Sequence, residues 1–421
     1  ACDGLLRVLG GPGAVDAWDK LSAQYGRKGL AASLAPAIAA ARDGYVLQPR
    51  VASDWARETG RLSGNRAAAA ALLPGGRAPL PGDRMENPAL AVTLERIARE
   101  GRKGFYDGPV AEEMTAVLRD LGGLHTEDDF LAQTADWTTP IRATYRDHEI
   151  LECPPNGQGL AALILMKILE RFDLADPSLS EADRIHLHAE ATKAAYRRRD
   201  LIVADPAVAP VDVEAALSSA AIDRLVKPIR LDRAAAPAEF DGPNHKDTVY
   251  VTVVDKDRNA ISFINSVFWA FGSTIYAPRS GVLLHNRGLG FKLQAGHPNA
   301  IAPRKRPMHT IIPAMMMKDG RPVMPFGVMG GQYQAAGHAH VVSRIVDHRD
   351  NPQQASDRPR SFTFDGTLSL ETTIPEATKL DLEKRGHKTA WAPEPIGGCQ
   401  AIRIDWERGL LIGGSDHRKD G

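Results

Sequence analysis

Asp247-Thr-Val-Tyr-Val-Thr-Val-Val-Asp-Lys-Asp-Arg-Asn-Ala260 is the stretch on which the reading of this chain turns. Val249 to Val254 is a β-branched and aromatic run that predicts a strand. Asp255 to Asn259 predicts a tight turn, and Ala260 to Val267 its antiparallel partner. Upstream, Leu231 to Asn244 is rich in Ala, Pro and Asp and has no periodicity, which predicts a flexible tether. Thr248 therefore stands where a disposable segment ends and a strand begins. A Thr hydroxyl is a weak nucleophile and needs a base beside it. Cleavage of the Asp247–Thr248 bond would free an α-amine with a pKa of about 8, so one residue would supply both groups. Read alone, Thr248 is equally a β-branched residue that starts a strand.

Working outward, the first half of the chain is mostly helical. Apolar spacing predicts helices over Ala14 to Tyr25 and Leu30 to Arg42. Asn87 caps another through Glu100, and Val110 to Leu121 forms the next. Gly60 to Arg84, rich in Gly, Ala, Pro and Arg, reads as a surface excursion. Ile141 to Glu152 alternates as a strand pair, stopped by Pro154, Pro155 and Gly157. Leu160 to Phe172 and Glu181 to Arg199 are long helices. Beyond the central hairpin, strands are expected at Val282 to Leu284, Ile311 to Met317, Ile402 to Asp405 and Leu410 to Gly413. Helices are expected at Ala335 to Val346 and Glu376 to Arg385. The elements mix without a repeat and without βαβ alternation, which predicts a layered α+β fold.

Composition narrows the function. The chain has 421 residues, 43% of them hydrophobic, enough for a large core. Its 52 basic residues balance 52 acidic ones, which gives no support for a nucleic-acid or membrane-surface partner. Cys2, Cys153 and Cys399 lie far apart, so neither a disulfide framework nor a zinc site is expected. His186 and His188, like His338 and His340, fall two apart in helices, where they face different ways; ordinary polar contacts are expected, and no metal. The chain begins with Ala1 and not Met, so an amino-terminal portion, with any localisation signal, is expected to precede it. The compartment is unread, with the cytoplasm as the default.

The stretch around Thr248 resembles the start of the small subunit of γ-glutamyltransferases. The resemblance continues through Phe271-Gly-Ser273, Gly281 to Asn286, Lys305-Arg-Pro307, Gly330-Gly331 and Gly414-Ser-Asp416. Upstream, Pro12-Gly-Ala14, Leu34 to Ile38, Phe105 to Gly108 and Pro154 to Gly157 resemble the large subunit. The match keeps its order over nearly the whole chain. It implies a four-layer αββα sandwich of the N-terminal nucleophile (Ntn) hydrolase type, built jointly by residues 1–247 and 248–421. It implies autocatalytic cleavage between Asp247 and Thr248, with Thr248 as nucleophile and Ser266 positioning it by its hydroxyl. Gly330 and Gly331 match the pair whose N–H groups form the oxyanion hole, although a Gly pair alone is equally a turn. No cofactor is implied. The two fragments would stay together, with a homodimer of such pairs as a further expectation.

The departures from the family pattern concern donor recognition. Where the family has Asn, Gln, Asp and a Ser–Ser pair, this chain has Phe268, Arg287, Gly290 and His309-Thr310. Losing the Asp removes the partner of an α-ammonium; gaining Arg287 adds a cation suited to a carboxylate. Arg287 also reads as a structural ion-pair partner, and His309 as a packing residue. The family's amino-terminal stretch, with its carboxylate-binding Arg, has no match here. The expected activity is hydrolysis or acyl transfer on small amides whose acyl group bears a carboxylate and no α-ammonium. A true γ-glutamyltransferase or glutathione hydrolase is the alternative. An unprocessed, inactive binding protein is the alternative of another class.

Overall fold

The computed structural model describes residues 13–237 and 248–419. The chain forms two compact units, each assembled from separated stretches: residues 13–137 with Val267–Gly288, and Thr138–Ser266 with Leu289–Lys419. Thr248 lies inside the second unit, so the proposed cut falls within a compact unit and not at the edge of one. Pro12, Asp247 and the 238–244 part of the expected tether lie outside the described residues.

The first unit is helical, with Ala14–Tyr25, Gly29–Asp43, Pro88–Glu100 and Pro109–Asp120 as expected. The Asn87 side chain accepts from the Leu90 N–H at 3.1 Å, satisfying one orphan donor of the helix it caps. The expected surface excursion over Gly60 to Arg84 is corrected. Thr59–Ser63 and Arg66–Leu72 are helices, and Leu62, Ala68 and Leu73 bury against Trp55. The Ala run after Asn65 has the highest helix propensity, and Asn65 caps it through the Ala68 N–H.

The second unit holds a six-stranded, wholly antiparallel sheet. Its order is Leu410–Ser415, Gly398–Asp405, Arg321–Met329, Ala314–Lys318, His148–Glu152, Ile141–Tyr145. Strands from both sides of Thr248 thus share one sheet. Arg321–Met329 was not expected as a strand, because Pro322 and Pro325 remove ladder donors. A register shift between Pro322 and Met324 accommodates them. Pro313 similarly delays the strand expected from Ile311 until Ala314.

Successive strand residues point to opposite faces, and two neighbours show what each face carries. On one face a Cβ at Gly327 would fall 2.3 Å from the Tyr250 ring, so the Val249–Val254/Ala260–Asn265 hairpin packs there. On the other, Val328 Cγ1 would lie 2.6 Å from a Cβ at Gly337, placing the Gln334–Val346 helix. The Gly159–Leu169 helix is apolar all round and buries every residue but Lys167, as a helix inside a layered core must. Ser262 donates to the Phe326 carbonyl at 3.2 Å and keys the hairpin to the sheet.

The described end of the expected tether is not loose. Ala235 N–H donates to Glu190 at 3.1 Å, Lys193 donates to the Ala235 carbonyl at 2.8 Å, and Arg385 donates to the Leu231 carbonyl at 3.0 Å. Polar groups of the Glu181–Ile202 helix, invisible to local pattern, hold it. Among the described residues no helix is long and apolar enough to cross a membrane.

Candidate active site

Thr248 immediately precedes the Val249–Val254 strand and is half-buried. The ladder ends with Val249 paired to Asn265, so Thr248 and Ser266 are the next residues beyond the last pair on the two adjacent strands. The two hydroxyl residues expected to act together are thereby placed on adjacent strand ends. Thr248 Oγ1 also accepts a hydrogen bond from Gln334 Nε2 at 3.4 Å. The other end of that amide is held, since Gln334 Oε1 accepts from the Ile312 N–H at 3.1 Å.

Gly330 and Gly331 follow the Arg321–Met329 strand and turn the chain with φ of 125° and 58°. Only glycine enters this region without strain, and a Cβ at Gly330 would lie 2.9 Å from Gly397 Cα. Both carbonyls of the turn are occupied. Gly330 O accepts from the Tyr333 N–H at 3.0 Å, and Gly331 O accepts from the Gln334 N–H and from Gln158 Nε2. A peptide N–H points away from its own plane's carbonyl, so anchoring Gly330 O directs the Gly331 N–H to the opposite side.

Gln158 spans two segments, donating to Gly331 O at 3.2 Å and to Thr310 O at 2.9 Å. Its own oxygen accepts from Arg199 Nη1 at 2.9 Å, and the same nitrogen donates to Gln332 Oε1 at 2.7 Å. Arg199 is fully buried and also bonds Asp200 at 2.7 Å. Its guanidinium lies 4.3 Å from the Tyr196 ring centroid, and Tyr196 OH donates to the Gln332 carbonyl. Burial pushes the Tyr196 phenol well above its ordinary range, so it stays a neutral donor. The sequence reading missed Gln158, Gln332 and Gln334, whose only local signal was a polar residue among apolar or Gly neighbours. It took Arg199, in the charged run Arg197 to Asp200, for a solvated helix face or a local salt bridge, where the structure buries it fully.

Thr310 is buried, and the adjoining His309 N–H donates to the Asn156 carbonyl at 3.1 Å. The His309 ring sits over Gly157, where a Cβ would meet its Cε1 at 3.0 Å. Gly290 is closed against Met308: a Cβ there would fall 2.4 Å from the Met308 carbonyl oxygen. Asn299 staples the two strands of chain, donating to Gly290 O at 2.7 Å and accepting from Met308 N at 2.9 Å.

Phe268 and Arg287 belong to the first unit. Phe268 is buried with φ of 82°, a conformation a bulky residue adopts only when its surroundings impose it. The Arg287 guanidinium lies 5.2 Å from the Phe268 ring centroid. Desolvation pushes Arg287 down to about 10, which leaves it a full cation at neutral pH.

The paired histidines do diverge. His338 Nδ1 lies 2.6 Å from Glu152 Oε1, and the Val328 N–H reaches His338 Nε2 at 3.3 Å, which assigns the proton to Nδ1. Burial raises the Glu152 carboxyl, opposed by His338. His186 instead meets His387, Nδ1 to Nε2 at 2.8 Å, and bonds the Arg230 carbonyl at 2.6 Å. With Glu190 these atoms lie within 4.8 Å of one another, a grouping the sequence spacing did not suggest.

A layered antiparallel sheet entered by a strand-initial Thr hairpin is the architecture of the Ntn hydrolases. Residues 3–421 match the family model described as Gamma-glutamyltranspeptidase. A glutathione hydrolase-like YwrD proenzyme of Bacillus subtilis is 35% identical over 424 residues, spanning 97% of this chain and 79% of that one. An oxamate amidohydrolase proenzyme of Klebsiella pneumoniae is 34% identical over 402 residues, spanning 93% and 75%. The crystal structure of a cephalosporin acylase from Bacillus halodurans superposes with a TM-score of 0.91 at 36% identity, covering 97% of this chain and 77% of that one. The chain belongs to the γ-glutamyltranspeptidase family, among its hydrolase and acylase members.

Proposed function

We propose that the chain is an autoprocessing threonine amide hydrolase acting on acyl groups that carry a carboxylate and no α-ammonium. The observation that carries this is Thr248: its hydroxyl is held by Gln334 at a strand end, and Ser266 stands just beyond the end of the paired strand. The relatives' designation as proenzymes supports a cut before it. In self-cleavage Oγ1 attacks the Asp247 carbonyl carbon, the C–N bond breaks as the acyl group shifts from N to O and frees the α-amine, and water then hydrolyses the ester, leaving the Asp247 carboxylate and restoring the Thr248 hydroxyl. In turnover that amine takes the Oγ1 proton while Oγ1 bonds the substrate carbonyl carbon. The Gly330 and Gly331 N–H groups stabilise the oxyanion. The C–N bond then breaks, and the leaving amine takes the proton. Water attacks the acyl ester, releasing the acid and restoring the hydroxyl.

Arg287 supports the carboxylate preference, and Gly290 supports the absence of an α-ammonium partner, since no side chain fits there. The name oxamate amidohydrolase agrees with such an acyl group; the name glutathione hydrolase-like favours the second reading, a γ-glutamyl hydrolase. Intact-mass analysis tests processing: two fragments meeting at Asp247 and Thr248 are expected, and Thr248→Ala should remain one chain. An uncut wild type that behaves like Thr248→Ala would leave only the binding-protein reading. Glutaryl-p-nitroanilide should be turned over well ahead of γ-glutamyl-p-nitroanilide; the reverse order would select the second reading. A homodimer of two-fragment protomers is part of the proposal and is read from light scattering.

A further inference from the structure

Gln334 is fully buried at the first position of the Gln334–Val346 helix, where a long polar side chain has no reason to be unless both ends are used. Both are. Ile312 N–H can only donate, so the amide end facing it, at 3.1 Å, is the oxygen. That settles the orientation of the group: Nε2 faces Thr248 Oγ1, at 3.4 Å, and donates to it. We propose that Gln334 is a catalytic residue that donates a hydrogen bond to the Thr248 oxygen and holds it for attack. The inference rests on the reading of Thr248 as nucleophile.

The chemistry follows from the direction of the bond. One lone pair of Oγ1 is taken by the amide, so the hydroxyl proton is directed away from Gln334. As the proton leaves, negative charge builds on Oγ1 and the Gln334 bond strengthens, because hydrogen bonds to charged acceptors are roughly twice as strong as neutral ones. A donor that gains most where charge develops lowers the barrier more than it tightens the ground state. The contact needs no free α-amine, so the same donor serves self-cleavage and turnover. Gln158 and Gln334 then divide the work: Gln158 fixes the Gly331 and Thr310 carbonyls, while Gln334 joins Ile312 to the nucleophile.

Two variants test it, each followed by intact mass for self-cleavage and by steady-state kinetics on the cleaved protein. Gln334→Leu removes both bonds and is expected to slow both reactions at least tenfold, with kcat falling and KM within about twofold. Gln334→Glu keeps the acceptor for the Ile312 N–H and offers Oγ1 a donor only while protonated. Its kcat should therefore fall as pH rises, against the wild-type rise as the α-amine deprotonates. Melting curves accompany both. If Gln334→Leu unfolds, Gln334→Glu decides alone: wild-type kcat and pH profile there would mean that only the Ile312 bond matters and would overturn the proposal. Thr248→Ala separates the two claims. If it still self-cleaves or turns over substrate, the nucleophile reading has failed and this one with it. If it is dead while both Gln334 variants match wild type, this inference alone is wrong.

Discussion

At the scale of single residues, the departures from the family pattern are not equivalent. Gly290 first reads as a carboxylate lost, so that restoring Asp would restore γ-glutamyl recognition. The packing says otherwise. A Cβ at this position would overlap the Met308 carbonyl oxygen at 2.4 Å, a contact that backbone on both sides prevents from relaxing. Gly290→Asp is expected to destabilise the fold by roughly 1–3 kcal/mol, with no gain in γ-glutamyl turnover. A melting curve together with a γ-glutamyl-p-nitroanilide assay checks both halves. Arg287 is the opposite case. Its guanidinium is partly desolvated against Phe268 and remains charged at neutral pH, so a carboxylate would meet a cation that water screens only in part. Arg287→Ala should raise KM for a glutaryl amide about 10- to 100-fold, the loss of one charged hydrogen bond, and leave kcat nearly unchanged. Arg287→Lys should rescue little, because an ammonium lacks the planar fork. Thr248, Ser266 and the glycine pair were singled out by the family resemblance, because read locally each is equally a strand start, a hydroxyl or a turn. Gln334 was not, because its partner lies 86 positions away.

At the scale of elements, the Glu181–Ile202 helix does two jobs. One part carries Tyr196 and Arg199 to the Gly330–Gly331 turn. Another, with His186, Glu190 and Lys193, holds the end of the segment that leads toward Thr248. Against it packs His387, pushed down to about 3 by burial and by the nearby Lys193, His186 and Arg385 charges. The sign of the consequence is fixed. His387 stays neutral in the folded state while the unfolded chain takes up its proton near pH 6.5. Stability from this group is complete above about 6.5 and falls with acidification toward 3, by at most about 1.4 kcal/mol per pH unit. Thermal melts between pH 7 and 4 should show the loss, and His387→Gln should flatten it. A neutral site here also agrees with the 2.8 Å His186–His387 hydrogen bond, which needs one ring nitrogen without a proton. The hairpin, the helix caps and the strand pair over Ile141 to Glu152 were readable from period and capping. The Arg321–Met329 strand was hidden by its two prolines, and the helices after Thr59 by Gly and Pro that flank them.

At the scale of the molecule, the second unit is one fabric woven from both sides of the proposed cut. His148–Glu152, upstream of Thr248, pairs with Ala314–Lys318, downstream, through Glu149–Met317 to Glu152–Ala314. Cleavage before Thr248 breaks no strand pair of that sheet. The two fragments are therefore expected to co-elute on native size exclusion and to separate only in denaturant; dissociation in buffer alone would contradict the sheet register. Sequence by itself determined the reaction class: a Thr at a strand start, a Gly pair and an ordered set of family motifs are all carried by neighbours along the chain. Tertiary structure decided what surrounds the proposed nucleophile and the glycine turn, because hydrogen-bond partners are chosen by distance in space. It gave Thr248 a buried amide donor and gave the glycine turn a buried arginine–glutamine brace. It also closed Gly290 against Met308, so that the missing carboxylate is a matter of backbone as well as of side chain.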